Sequence, residues 1–192
     1  MRVYRRLLLA FSLVLAASWA LPAPAAQTSG GPRFTPVASI LELMLEIVDP
    51  NADFIWESVS VVINKDGETV KQPRTDDEWL EVRHSALALA EAGNLLKIPG
   101  RGVVPAKPVR GIEPEPPGPD DLPLTKVDEL IKANRTSFEG LAQGLTDAAL
   151  IALRAVDTRS VDGLYEAGDA LDRACENCHT VYWYPGAPSP GQ

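Results

Sequence analysis

This chain is poor in the residue types that usually carry chemistry. Its 192 residues include two cysteines, two histidines and two methionines. No pair of carboxylates is arranged for acid–base work, no Ser/His/Asp arrangement is visible and no glycine-rich phosphate loop is present, so nothing apart from the cysteines suggests an enzyme. Positive charge is short as well. Eighteen Lys and Arg stand against twenty-six Asp and Glu, and loss of Arg2, Arg5 and Arg6 with the leader described below leaves fifteen against twenty-six, near −11. That balance argues against nucleic acid and anionic membrane as partners. It suits a protein partner with a basic docking surface, met by electrostatic steering, although the same charge also keeps an exported protein soluble. No β-rich alternating run occurs, and beyond the N-terminus no apolar stretch is long enough to span a bilayer.

The scarce residues are concentrated. Both cysteines and one histidine lie in the run Cys175-Glu176-Asn177-Cys178-His179, close to the C-terminus. C-x-x-C-H is the attachment pattern of c-type haem, in which two thiols bond the macrocycle covalently and the adjacent imidazole ligates iron. A simple disulfide or a thioredoxin-like redox pair is the competing reading of C-x-x-C, but neither uses the histidine, and a structural zinc site would be short of ligands. The N-terminus agrees with export. Arg2, Arg5 and Arg6 precede an apolar stretch from Leu7 to Leu21 and an A-x-A site at Ala23-Pro24-Ala25, which predicts a signal peptide over residues 1–26 and a mature domain over 27–192 in the periplasm. At fifteen residues the stretch falls short of the roughly 20 that an uncleaved anchor needs.

Along the mature chain, apolar residues recur at helical spacing. Thr35-Pro36 reads as a cap and first helical residue, followed by Val37, Ile40, Leu41, Met44, Ile47 and Val48, with the pattern continuing past a kink or break at Pro50 to about Ile63, as one bent helix or two abutting ones. Asn64 to Gly67 reads as a turn. Thr75 and Glu78 form a capping box for a second helix ending near Leu96. Residues 97–123 hold eight prolines and four glycines, which predicts an extended crossover with no core of its own, a plain linker. Thr125 to Asp128 opens a third helix by another capping-box pattern, with a break expected near Gly144, and Ser160 caps a fourth that carries the haem motif. The expected fold is all-α, a four-helix bundle with a long Pro-rich crossover between the second and third helices.

At about 100° per residue, Cys175, Cys178 and His179 project from one side of the last helix, continuing its apolar stripe. The sixth iron ligand then decides function, because an occupied position favours electron transfer and an open one admits small gases. After signal removal the candidates are Met44, on the apolar stripe of the first helix, and His84. Met44 is read as the distal ligand, with ordinary core filling as its alternative; His84 reads as a surface or hydrogen-bonded residue. Arg83 and Arg101 are conceivable partners for the haem propionates. Tyr182, Trp183 and Tyr184 follow the motif and either shield the haem edge or cap the end of the bundle.

The order of these features, Met44 early and Cys175 to His179 late, resembles class II cytochromes c, the cytochrome c′ family, over roughly residues 36–184. Class I members have the reverse order. The resemblance implies a four-helix bundle with one covalently bound haem c at the C-terminal helix. A methionine in the first helix is similar to the low-spin, six-coordinate branch, which implies a single-electron carrier with His179 and Met44 as axial ligands. The alternative within the family is a gas-binding protein with an open distal site. A homodimer is a further implication. Two features depart from the family pattern: the crossover is longer, and Tyr182-Trp183-Tyr184 stand where many members have a basic residue.

Overall fold

The computed structural model describes residues 34–65, 67–110 and 118–186; the expected signal peptide lies outside them. The first helix, α1 (Ile40–Leu43), starts at a closed capping box. Ser39 Oγ accepts from the Glu42 N–H at 3.2 Å, and the Glu42 carboxylate accepts from the Ser39 N–H at 2.7 Å. This start lies four residues beyond the predicted one. Three residues after Thr35 stands Ala38, which has no side chain to return the bond, and Val37 is left 93% exposed. A π-helical stretch, Met44–Val48, follows, and α2 takes over at Asp49–Ser58.

Pro50 explains the π turn. In a regular α-helix its ring would clash with the carbonyl of Glu46, four residues back. Widening the turn, so that the Asp49 N–H reaches the Met44 carbonyl, removes the clash, and Asn51 Nδ2 donates to the Ile47 carbonyl at 2.7 Å. The expected bend therefore takes the form of a change in helical register.

Helix does not continue to Ile63. Strand β1 (Ser60–Asn64) pairs antiparallel with β2 (Gly67–Lys71), Ser60 opposite Lys71 and Asn64 opposite Gly67. The run Val61-Val62-Ile63 is β-branched throughout, and such side chains are stiff at χ1 and favour strand over helix. Gly67 has a φ of +124°, which the tight turn requires and only glycine adopts readily. The sequence reading missed this hairpin because Val59 and Val62 also continue the helical apolar spacing of Ile55.

Helix α3 (Asp76–Leu96) begins at the predicted Thr75–Glu78 capping box. The third predicted helix divides instead into α4 (Leu124–Ala133) and α5 (Arg135–Asp157), with the break at Asn134 and not at Gly144. The Thr125 capping box does not form. Pro123 occupies the cap, and the Asp128 carboxylate pairs with Lys132 and faces the Val103 N–H at 3.4 Å. Asn134 leaves the helical region, as a residue with a short amide side chain does at low cost, whereas Gly144 stays helical inside α5. Helix α6 (Val161–Tyr182) is capped by Ser160, whose Oγ accepts from the Gly163 N–H at 3.0 Å.

The fold is mostly helical, with α3, α5 and α6 packed together. Leu43, Ile55, Val82, Leu89, Leu164 and Leu171 are the large side chains most fully buried in the core. Helix α3 lies antiparallel to α5 at close range: Thr146 Oγ1 donates to the Ala90 carbonyl at 3.1 Å, and Arg135 donates to the carbonyls of Leu96 and Ile98 at the other end. Helix α2 is tied to α6 by Trp56 Nε1, which donates to the Gly168 carbonyl at 3.0 Å.

The start of the crossover is not a plain linker. The carbonyls of Gly102 and Val103 accept from the Ile40 and Leu41 N–H groups at 2.9 Å each, satisfying first-turn amides of α1 that have no partner within the helix. Arg101 is buried, with Nε on the Leu95 carbonyl at 3.0 Å and its guanidinium on the Ala38 carbonyl. Arg101→Ala is therefore expected to lower stability by about 2 kcal/mol, the scale for losing hydrogen bonds to a charged group, as read by denaturant titration. A surface arginine would give no such loss.

Candidate functional site

The three motif side chains are brought together on α6. Cys175 and Cys178 are unpaired and half-buried, and His179 follows on the same side of the helix. Leu171 and Tyr182, on the same side one turn to either end, are buried in the core. Tyr182 packs edge-on against Phe138 with ring centroids 5.6 Å apart and donates its hydroxyl to the Asn134 carbonyl at 3.2 Å. The motif thus lies on the face that holds α6 to the rest of the fold.

The end of α6 folds back over the histidine. The Trp183 and Tyr184 N–H groups both donate to the His179 carbonyl, at 2.7 and 3.0 Å. This winding brings both rings edge-on to the imidazole, with centroids 5.0 Å away for Trp183 and 5.8 Å for Tyr184. The Leu122 N–H donates to the Trp183 carbonyl at 2.7 Å, so the end of the crossover closes over the same turn. The three aromatics predicted to act as a group therefore separate into a core residue, Tyr182, and two neighbours of His179.

Carboxylates lie near Cys175 and His179. Burial pushes the Cys175 thiol up to about 11, and the nearby charges of Asp172, Asp49 and Glu176 push the same way. Cys178 is pushed up to about 12, by burial first and by Cys175 second. Burial lowers the pKa of His179, opposed by the carboxylates of Glu176 and Asp49. Tyr184 is held well above the usual phenol range by burial and by donating to Glu176 Oε2 at 2.8 Å.

These shifts bear on the competing chemistry. A redox C-x-x-C works through a thiolate stabilised by positive charge or a helix N-terminus, whereas here both thiols are stabilised in the protonated form. Their native pKa values lie above those of the unfolded chain, so the stability they contribute is complete below the ordinary thiol range and is lost as pH rises towards 11 and 12. In protein made without haem, alkylation by iodoacetamide at pH 8 is expected to run roughly two orders of magnitude slower than for a free cysteine, following the smaller thiolate fraction. A rate equal to that of the unfolded chain would contradict the burial.

Met44 is not on the same element as the motif. It is the first residue of the π-helical stretch, half-buried and packed against the core. Five residues on, Asp49 is near enough for its charge to act on both Cys175 and His179. His84 is exposed on α3, as is Arg83. Arg101 is engaged with backbone carbonyls and is removed from the propionate candidates. Sequence reasoning missed Asp49, whose nearness to the motif depends on how α2 crosses α6. It also missed Glu176 and Tyr184, although Glu176 stands inside the motif itself.

A groove of about 450 Å³ runs along α6 ahead of the motif, lined by Trp56, Val59, Leu164, Gly168 and Asp172. Another, of about 490 Å³, lies between α5 and α6 and is lined by Arg154, Arg173 and Asn177. Neither is lined by Cys175, Cys178 or His179.

Among the described residues, no group of three or more His, Cys, Asp or Glu is arranged to hold a bare metal ion. Iron in a porphyrin asks the protein for one or two donors only. Two free thiols and an imidazole on one face of a helix fit that requirement. Compared with models of protein families, with curated proteins and with solved structures, the chain has no significant match.

Proposed function

We propose that the protein is an exported class II c-type cytochrome that carries single electrons in the periplasm. The observation that supports this most is the shared face of Cys175, Cys178 and His179 on α6, directed towards the core. In this reading the mature domain, residues 27–192, is a four-helix bundle. The α1, π-helical and α2 segments make its first helix, α3 its second, α4 with α5 its third and α6 its fourth. Bound haem supplies a one-electron couple. Cys175 and Cys178 hold it covalently, His179 provides the proximal nitrogen, and Trp183 and Tyr184 restrict water around the imidazole. The acidic mature chain steers a redox partner with a basic surface.

Met44 is proposed as the distal ligand on the course of the chain. Trp56 is bonded at Gly168 and Asp49 acts on Cys175 and His179, so α2 runs antiparallel to α6. The path back from Asp49 to Met44 therefore runs towards the end of α6 that carries His179, with the π-helical stretch itself packed on α3. The second reading, a gas-binding protein with an open distal position, is favoured by the packing of Met44 against the core.

Optical spectra of the haem-matured protein, reduced and then exposed to CO, separate the two. The carrier is expected to be low-spin and indifferent to CO, and Met44→Ala is expected to make it high-spin and CO-reactive. A CO adduct in the parent protein favours the open site. Absence of any haem absorbance would sink both. Among the described residues no helix is long and apolar enough to cross a membrane.

A further inference from the structure

Glu176 Oε1 is buried and has no hydrogen-bond partner. Leaving a buried acceptor unpaired costs about 1–3 kcal/mol, and more when it is charged, so this oxygen gains from any donor brought beside it. The rest of the residue is held firmly. Its other oxygen, Oε2, accepts from the Tyr184 hydroxyl at 2.8 Å, and its backbone carbonyl accepts from Thr180 Oγ1 at 2.7 Å. Tyr184 is itself fixed by its N–H on the His179 carbonyl and by the edge contact of its ring with the imidazole. The carboxylate is thus fastened at one oxygen, one turn before His179 on the same helix, with the other oxygen free.

A ligating histidine nearly always donates its second ring N–H to a carboxylate, a carbonyl or water, and this bond sets the ring orientation and the electron density at the metal. We infer that Glu176 is a positioning residue for His179, its free Oε1 accepting the Nδ1–H of the imidazole when the other ring nitrogen is committed to iron. The inference rests on the haem reading above.

The competing acceptors are weak. The helix carbonyls in the turn before His179 are engaged in the backbone ladder, and the carbonyl of His179 itself by Trp183 and Tyr184. Asp49 and Asp172 also act on this region, but as exposed carboxylates on other turns. Tyr184 and Glu176 work as a unit, since the tyrosine fixes the oxygen that the histidine does not use. A histidine donating to a carboxylate gives more charge to the iron and favours its ferric form.

The test uses the full haem-loaded chain with ¹⁵N-labelled histidine. The reduced protein is read by NMR, as it stands if low-spin or as its CO adduct if not, so that the iron is diamagnetic either way. The His179 Nδ1–H is expected downfield and protected from exchange. In Glu176→Gln, whose amide oxygen accepts without a charge, it is expected to move upfield and exchange roughly tenfold faster, the difference between a charged and a neutral acceptor. The redox equilibrium is expected to shift roughly tenfold towards the ferrous form, which is about 59 mV for one electron. Tyr184→Phe is expected to move both readouts in the same direction by less.

Asp172→Asn removes a nearby charge without touching the acceptor, and is expected to change the potential but not the Nδ1–H signal. An unchanged Nδ1–H in Glu176→Gln overturns the inference and leaves the cytochrome reading standing. Protein from the same preparation that gives no haem stain on a denaturing gel overturns that reading and the inference with it.

Discussion

Gly93→Ala is expected to destabilise the fold by about 2–4 kcal/mol, although alanine is the better helix former by about 1 kcal/mol. A Cβ at position 93 would overlap Thr146 Oγ1 and come within 2.8 Å of the Ala142 carbonyl oxygen and 3.1 Å of the Thr146 nitrogen. The hydroxyl cannot turn aside freely, because it is buried and bonded to the Ala90 carbonyl. The carbonyl of Ala142 belongs to the backbone of α5 and moves only if α5 slides on α3. Overpacking of this kind costs about 1–3 kcal/mol and the orphaned hydrogen bond about as much again, so the penalty exceeds the gain in propensity. For a domain of this size the melting temperature should fall by roughly 5–15 °C. Thr146→Ala in the same chain removes one clash and leaves the backbone one, so it should restore only part of the loss. Full restoration would mean that the seam between α3 and α5 is looser than the structure has it.

Much of this architecture is legible where one local rule acts alone. The Thr75–Glu78 capping box, the span of α3 to Leu96 and the Ser160 cap of α6 follow from side chains that bond their own helix, and the structure has them as read. Reading fails where two rules compete. Thr35-Pro36 signals a helix start, but the chain starts later, where Ser39 and Glu42 close their bonds reciprocally. Val59 and Val62 suit a helical stripe, and the β-branched run Val61-Val62-Ile63 decides for the strand. Asn134 and Gly144 are both weak points in one helical run, and only Asn134 breaks it, because the residues beside Gly144, Ala142, Leu145 and Thr146, are buried in the core and hold the helix there. The site divides in the same way. Cys175, Cys178 and His179 are a local spacing on one helix, so their shared face follows from the sequence. The charge of Asp49, the unpaired oxygen of Glu176 and the rings of Trp183 and Tyr184 beside His179 depend on the crossing of α2 over α6 and on the turn that ends α6, which no local pattern encodes.

Replacing both Cys175 and Cys178 by alanine is expected to abolish covalent haem altogether. On the proposed reading the parent protein carries haem through a denaturing gel, because two thioether bonds survive unfolding, and the double variant leaves that position unstained. Alanine suits this test because half-buried cysteine packs as a small apolar group. Losing a sulfur from each site costs about 1 kcal/mol by analogy with removing a buried methylene, well within the stability of an ordinary domain. Helix content by circular dichroism should therefore stay near that of the haem-free parent, which separates a lost attachment from a lost fold. The thiols provide an independent check. Haem-free parent protein should lose stability as pH rises from the ordinary thiol range towards 11 and 12, where Cys175 and Cys178 ionise. The double variant lacks both groups, and in the haem-loaded parent both sulfurs are thioethers, so neither should show that alkaline loss. Should the haem-loaded parent show the same alkaline transition as the haem-free one, the thiols are free and the covalent attachment proposed for Cys175 and Cys178 is wrong.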